Sequence, residues 1–363
     1  MKFTIPMGQL SEVCVKYLKA NVNLLITSSP GLGKTAKIKQ AVEETLGWDL
    51  LFLHGVICDP TDVKGFPFVS KDGKSATFLP AGVMHQLVTA TKPTVLFIDD
   101  VGQSPQSVQA ATMQVIWDRI IGDHKIPDCV RFILASNRRQ DKAGVGGILS
   151  TLTDRCVPIE VTPDHEDWIT EYAIPNDVDH RIVSFIKKTM GESFYEFKAA
   201  SDFTKSPTAR GWELVDKTLK ADFNPGVRKV CLAGCIGEPR AVEFEAHLRV
   251  CDNLPNYEDI LDDPDAVEMP GGPSCSHILY ALAMVLARAV LANDSRFESA
   301  FRWAERMCED GHAEQAAFMV HFIDQTDKAN AKKTKTWTQA KDGHLLGTAC
   351  ARLIAGPIAH IFN

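Results

Sequence analysis

Leu24-Leu25-Ile26-Thr27-Ser28-Ser29-Pro30-Gly31-Leu32-Gly33-Lys34-Thr35 is the stretch from which the rest of the chain is read. A short apolar run has the character of a buried strand. It breaks at a turn with two glycines, and Ala36-Lys37-Ile38-Lys39-Gln40-Ala41-Val42 then has the spacing of a helix. A strand, a tight loop and a helix start in that order aim several backbone N–H groups and the positive helix end at one point. A di- or triphosphate suits such a nest. Ser29, Pro30, Gly31, Leu32, Gly33, Lys34, Thr35 and Ala36 are therefore the candidate nucleotide-binding loop. Gly31 and Gly33 allow the curvature, Lys34 would reach the β- and γ-phosphates, and the Thr35 hydroxyl would ligate Mg²⁺. The pattern G-x-x-x-x-G-K-[ST] is departed from at one place, where Ser28 occupies the position of the first glycine. The alternative is a Ser/Gly loop ahead of an ordinary helix.

Thr94-Val95-Leu96-Phe97-Ile98-Asp99-Asp100 is the second anchor. Its apolar run fits a strand covered on both faces, and its two carboxylates stand at the carboxyl end, where ligands of open α/β sheets bind. Asp99 would hold Mg²⁺ directly or through water, and Asp100 would polarise an attacking water. A third strand, Cys129 to Asn137, ends in a polar pair, placing Asn137 to orient that water or touch the γ-phosphate. Leu50 to Gly55 and Val157 to Val161 complete five short apolar strands separated by helices. The fold class is α/β, a parallel sheet wrapped on both sides. Residues 8–20 read as a helix covering the edge of the first strand, and residues 104–121 as another. His54 reads as a strand-end residue rather than a base. Within the turn-rich segment 59–74, Phe66 and Phe68 read as packing inward, the alternative being that they project from a loop and touch a client. Residues 138–147 read as a flexible basic loop.

At 363 residues the chain exceeds one small core. Its 45% hydrophobic and 23% charged composition is that of a soluble globular protein, and a net charge of −7 gives no global attraction to nucleic acid. No signal peptide or membrane-spanning run is read, and ten dispersed cysteines fit reduced thiols in a cytoplasmic setting better than a disulfide framework. Cys231 and Cys235 are the one close pair, without a second pair at zinc spacing. Beyond Pro163 the strand signal ends. Helices are expected near 167–173, 180–189, 207–216 and 233–250, then an acidic linker at 255–273, helices at 276–291 and 297–323, a loop bearing Lys328, Lys332, Lys333 and Lys335, and a helix near 344–362.

The order Gly-Leu-Gly-Lys-Thr, Leu-Phe-Ile-Asp-Asp, Ala-Ser-Asn and Thr-Asp-Arg-Cys resembles the AAA+ ATPases over about residues 8–250. Asp59-Pro60-Thr61-Asp62-Val63-Lys64-Gly65-Phe66-Pro67 resembles a segment of their MoxR-like, dynein-related branch. The resemblance implies a P-loop αβα sandwich with a five-stranded parallel sheet over residues 1–162, an α-helical lid over 163–255 and a C-terminal helical extension over 256–363. It implies ATP and Mg²⁺ as cofactors, Lys34 and Thr35 as the Walker A pair, Asp99 as the Walker B carboxylate and Asn137 as sensor 1. Arg155 matches the arginine finger, which completes a neighbouring subunit's site. Arg210, in Thr-Ala-Arg-Gly-Trp-Glu, best matches sensor 2, with Arg240 second. Asp100 stands where the family usually has the longer Glu. The implied activity is ATP hydrolysis by a homo-oligomeric, hexameric ring that remodels a protein client, with a von Willebrand factor A domain protein as candidate partner. The rivals are a nucleic-acid motor or loader, whose hydrolysis nucleic acid would stimulate, and a nucleotide-gated scaffold with weak hydrolysis.

Overall fold

A computed structural model describes residues 4–69, 73, 75–138, 141, 146–198, 204–252, 254–272, 275–329, 353 and 356. The chain divides into two compact units, Met1–Asp164 with Phe197–Ser201, and His165–Glu196 with Asp202–Asn363.

The first unit is built on a parallel sheet of six strands, where five were expected. Its order is β1 (Thr4–Pro6), β10 (Val157–Thr162), β2 (Leu24–Ser28), β9 (Val130–Asn137), β6 (Thr94–Asp99) and β3 (Asp49–His54). The sixth strand is three residues at the chain's start, too short to show a pattern of its own. Register alone places it, Ile5 opposite Val161. Leu24, Leu25, Ile26, Val95, Leu96, Phe97, Ile133 and Leu134 are all buried, as continuous apolar strands under helices on both faces should be. Helix α1 (Leu10–Lys19) buries Leu10, Cys14 and Leu18. Helix α2 (Lys34–Lys39) follows the phosphate loop and continues in a wider turn to Thr45.

Two local expectations are corrected here. The helix read through residue 121 is α5 (Gln106–Trp117). It stops because Arg119 takes φ 55°, after which β7 (Ile120–Ile121) and β8 (His124–Lys125) form a small hairpin across Gly122. Phe66 and Phe68 do not pack inward. They lie on β4 (Phe66–Val69), which pairs with β5 (Ala76–Leu79) in an antiparallel hairpin after the capped turn α3 (Pro60–Lys64). Phe66 is 50% and Phe68 64% exposed, and Val69, Phe78 and Leu79 are also exposed. A two-stranded hairpin has no second layer on its outer face, so alternation cannot bury that side.

The second unit is helical around its own core. Trp212, Trp303, Phe185, Phe244, Phe297, Phe301 and Phe322 are fully buried in it. It comprises α7 (His165–Trp168, continuing to Ala173), α8 (His180–Lys188), α9 (Ala209–Lys220), α10 (Pro225–Ile236), α11 (Glu238–Cys251), α12 (Tyr257–Asp262), α13 (Cys275–Ala292), α14 (Phe297–Glu309) and α15 (Ala313–Ala329). The helix expected over 233–250 is split at Gly237, which has φ 83° and packs so closely on the Lys205 carbonyl that a Cβ would stand 2.2 Å from it. The single helix expected over 297–323 likewise breaks at Gly311 (φ 87°). The acidic segment expected as a linker is folded: α12 buries Ile260 and Leu261, and Arg296 and Arg302 pair with Asp262 and Asp265. Lys332, Lys333, Lys335 and the helix expected near 344–362 lie outside the described residues, apart from Leu353 and Gly356.

Candidate functional site

Parallel register carries the carboxyl ends of β2, β9 and β6 to one edge of the sheet, Ser28 opposite Asn137, with Asp99 ending β6. The loop after β2 turns through Gly31 (φ 73°) and Gly33 (φ 97°) into α2. A Cβ on Gly33 would meet nothing within 4 Å, so left-handed backbone rather than crowding calls for glycine there. Gly33, Thr35 and Ala36 are exposed, Pro30 and Gly31 partly so, while Ser29, Leu32 and Lys34 turn inward, Lys34 with 8% of its surface accessible.

The side chains meet in a chain of hydrogen bonds. Lys34 Nζ donates to Ser28 Oγ at 2.9 Å and to Asn137 Oδ1 at 3.3 Å. Asn137 Nδ2 donates to Asp100 Oδ1 at 3.2 Å, which orients its amide with the carbonyl toward the ammonium. Thr35 Oγ1 donates to Asp99 Oδ2 at 3.3 Å, and the Asp100 N–H to Asp99 Oδ1 at 2.9 Å. Asp100 has left-handed backbone, φ 55°, which turns it off the strand beside its neighbour. Burial pushes its carboxyl above the usual range. The Asp99 charge adds to that shift, and Lys34 opposes it.

Six of the residues read as catalytic, metal or loop positions (Lys34, Thr35, Asp99, Asp100, Asn137 and Ser29) thus fall into one cluster or its rim. The Thr35 hydroxyl and Asp99 carboxylate are hard oxygen donors beside the Gly31–Gly33 turn, a set that fits Mg²⁺. Among the described residues no three His, Cys, Asp or Glu side chains gather to hold a metal by themselves. A cation here would complete its shell with phosphate oxygens and water, as Mg²⁺ does in nucleotide sites.

Arg155 is placed elsewhere. It precedes β10, at the amino edge of the sheet, whereas the phosphate loop leaves the carboxyl edge. Its Nη1 donates to the Thr151 carbonyl at 2.7 Å, and its guanidinium stands 5.2 Å over the exposed Trp117 ring. Arg210 and Arg240 belong to the helical unit. Arg210 is exposed in the first turn of α9, and Arg240 is held by Glu243 at 2.6 Å and Glu196 at 3.6 Å.

Sequence reasoning missed Arg138, which it placed in a flexible loop. The Arg138 N–H donates to the Ser28 carbonyl at 3.0 Å, and its guanidinium binds Asp141 and Glu160, each at 3.0 Å, and the Ser29 hydroxyl. It fastens the phosphate loop to β9 and β10. Adjacency to Asn137, which faces Ser28 once the strand order is known, is the signal that could have found it.

Site and sheet together define a phosphate-loop α/β fold with a helical second unit. No family model matches the chain, and no curated protein does. Solved structures do match. The RuvB Holliday junction branch migration motor of Thermotoga maritima aligns over 78% of this chain and 82% of its own, at 15% identity and a TM-score of 0.32. NtrX of Brucella abortus, in complex with ADP, aligns over 93% of this chain and 68% of its own, at 14% identity and a TM-score of 0.33.

Proposed function

We propose that this chain is a Mg²⁺-dependent AAA+ ATPase of the MoxR-like kind, acting in a cytoplasmic ring to remodel or activate a protein client. The observation that carries the reading is the convergence of Lys34, Thr35, Asp99, Asp100 and Asn137 on one sheet edge beside the Gly31–Gly33 turn. In this reading the loop N–H groups and Lys34 bind the phosphates. Thr35 and Asp99 hold the metal, which would neutralise charge on the transferring phosphoryl group. Asn137 positions the lytic water and Asp100 draws on its proton, one methylene shorter than a glutamate would be. Arg210, or failing it Arg240, serves as sensor 2. Nine unpaired thiols among the described residues fit a reducing compartment.

The amino-edge position of Arg155 supports its role toward a neighbour rather than its own loop. A head-to-tail interface gives a ring where its rotation closes and an open filament where it does not; by the resemblance, a closed hexamer is the expectation. The exposed hairpin favours a protein client: Phe66, Phe68 and Leu79 share one unburied face, the kind of apolar patch that marks a contact surface. A von Willebrand factor A domain protein is the candidate partner by resemblance alone.

The test separates binding from turnover. Lys34→Ala should lose ATP binding in calorimetry. Asp100→Asn should bind ATP but hydrolyse it about a hundredfold more slowly than the unaltered protein. Unaltered hydrolysis in both variants would overturn the reading. Hydrolysis that rises on adding DNA or RNA, steeply weakened by salt, would point to the nucleic-acid motor instead.

A further inference from the structure

Ser28 is the one position where the loop departs from its pattern, and it is not idle. Its side chain is completely buried, and its hydroxyl donates to the Ser29 carbonyl at 2.8 Å. With its single proton committed there, only lone pairs remain to face outward, and they accept from Lys34 Nζ at 2.9 Å. A glycine at this position offers the ammonium nothing. The same ammonium donates to Asn137 Oδ1, so at least two of its three protons are directed at protein oxygens.

We propose that Ser28 is a positioning residue that competes with nucleotide phosphate for Lys34, and so sets the affinity for di- and triphosphates. The inference rests on the nucleotide-binding reading of the loop. An ammonium drawn out to two phosphates has to loosen its internal bonds, both of them charge-assisted, and the one to Ser28, the shorter at 2.9 Å against 3.3 Å to Asn137, is the one whose loss costs more. Losing that bond on binding weakens the grip on the β- and γ-phosphates. It leaves the part of affinity that comes from base and sugar untouched, since Lys34 has no part in it. The departure from glycine thus acts as a brake on occupancy, answered through the lysine rather than through the shape of the loop.

Calorimetric titration of the full chain with AMP, ADP and a non-hydrolysable ATP analogue, each with Mg²⁺, tests this. Removing the hydroxyl in Ser28→Ala and Ser28→Gly should tighten ADP and the ATP analogue by about three- to tenfold and leave AMP unchanged. Ser28→Thr, which keeps the hydroxyl, should bind as the unaltered protein does. A change shared equally by AMP, ADP and the analogue would mark a merely structural role. An unchanged or weaker affinity for the analogue in both hydroxyl-free variants would likewise overturn the proposal. Lys34→Ala runs alongside: if it binds as tightly as the unaltered protein, the nucleotide reading itself fails. If it loses binding while Ser28 variants do not differ, only the role of Ser28 fails. Should Ser28→Ala not fold, Ser28→Gly against the unaltered chain makes the same comparison.

Discussion

Trp117 lies beneath Arg155 at the end of α5, 59% exposed, with the guanidinium centred 5.2 Å above its ring. A planar cation on an aromatic face has its rotamer narrowed, and the bond from Nη1 to the Thr151 carbonyl narrows it further. An exposed pair of this kind contributes about 0.5–1 kcal/mol. If Arg155 serves a neighbouring site, Trp117→Ala should therefore lower hydrolysis by about two- to fivefold, a small cost beside that of Arg155→Ala. Nucleotide affinity should stay put, because neither residue borders its own chain's loop. Parallel measurements of turnover and calorimetric affinity check this. A drop in affinity without a drop in turnover would count against it. Thr-Asp-Arg-Cys singled out Arg155 by resemblance, but nothing in the sequence pointed to the ring it lies on. Trp117 stands 38 positions earlier in sequence, and only the helix end at Trp117 brings the two together. Asp100 was legible as an acid at a strand end, whereas its raised proton affinity depends on burial and on Asp99, neither of which sequence reports.

At the scale of elements, strands under helices were readable and hairpins were not. Phe97 and Leu134 lie in apolar runs that fit a doubly covered strand, and both are buried in one. Phe66-Pro67-Phe68-Val69 is as apolar, yet it pairs with one strand alone and stays open on a face. Apolar character announced a strand in both, and the number of layers around it decided the burial. The β4–β5 hairpin is seated through glycine. At Gly122 (φ 58°) a Cβ would come within 2.6 Å of the Phe78 carbonyl, so the β7–β8 turn and β5 approach by backbone. Gly122→Ala adds both the left-handed penalty and that clash. It should destabilise the first unit by about 1–3 kcal/mol. Hydrogen exchange should speed up in Ala76–Leu79 before it does in β6 or β9. Uniform exchange across the sheet would show that the hairpin is not separately seated. Gly122 gave no warning of this, since Gly-Asp reads as an ordinary turn wherever it falls.

For the molecule as a whole, the decisive geometry is that one sheet carries the phosphate loop at its carboxyl edge and Arg155 at its amino edge. If Arg155 is the other half of the catalytic site, as proposed, the two halves lie at opposite edges of one chain and meet only when copies are stacked head to tail, and such a contact is heterologous: each copy offers a different face. Hydrolysis should then rise more steeply than linearly with protein concentration, until assembly saturates. Lys34→Ala and Arg155→Ala should each be nearly inactive alone. Mixed in equal amounts, they create interfaces in which an intact loop from the Arg155→Ala chain meets an intact arginine from the Lys34→Ala chain. Random pairing puts that combination at roughly a quarter of all interfaces, so activity should return to about a quarter of the unaltered level. Exchange of subunits has to be allowed, by mixing before nucleotide is added or by diluting and reconcentrating together. A mixture as inactive as its parts, under conditions where tagged subunits of the two variants are shown to co-purify, would mean that Arg155 does not complete a neighbour's site.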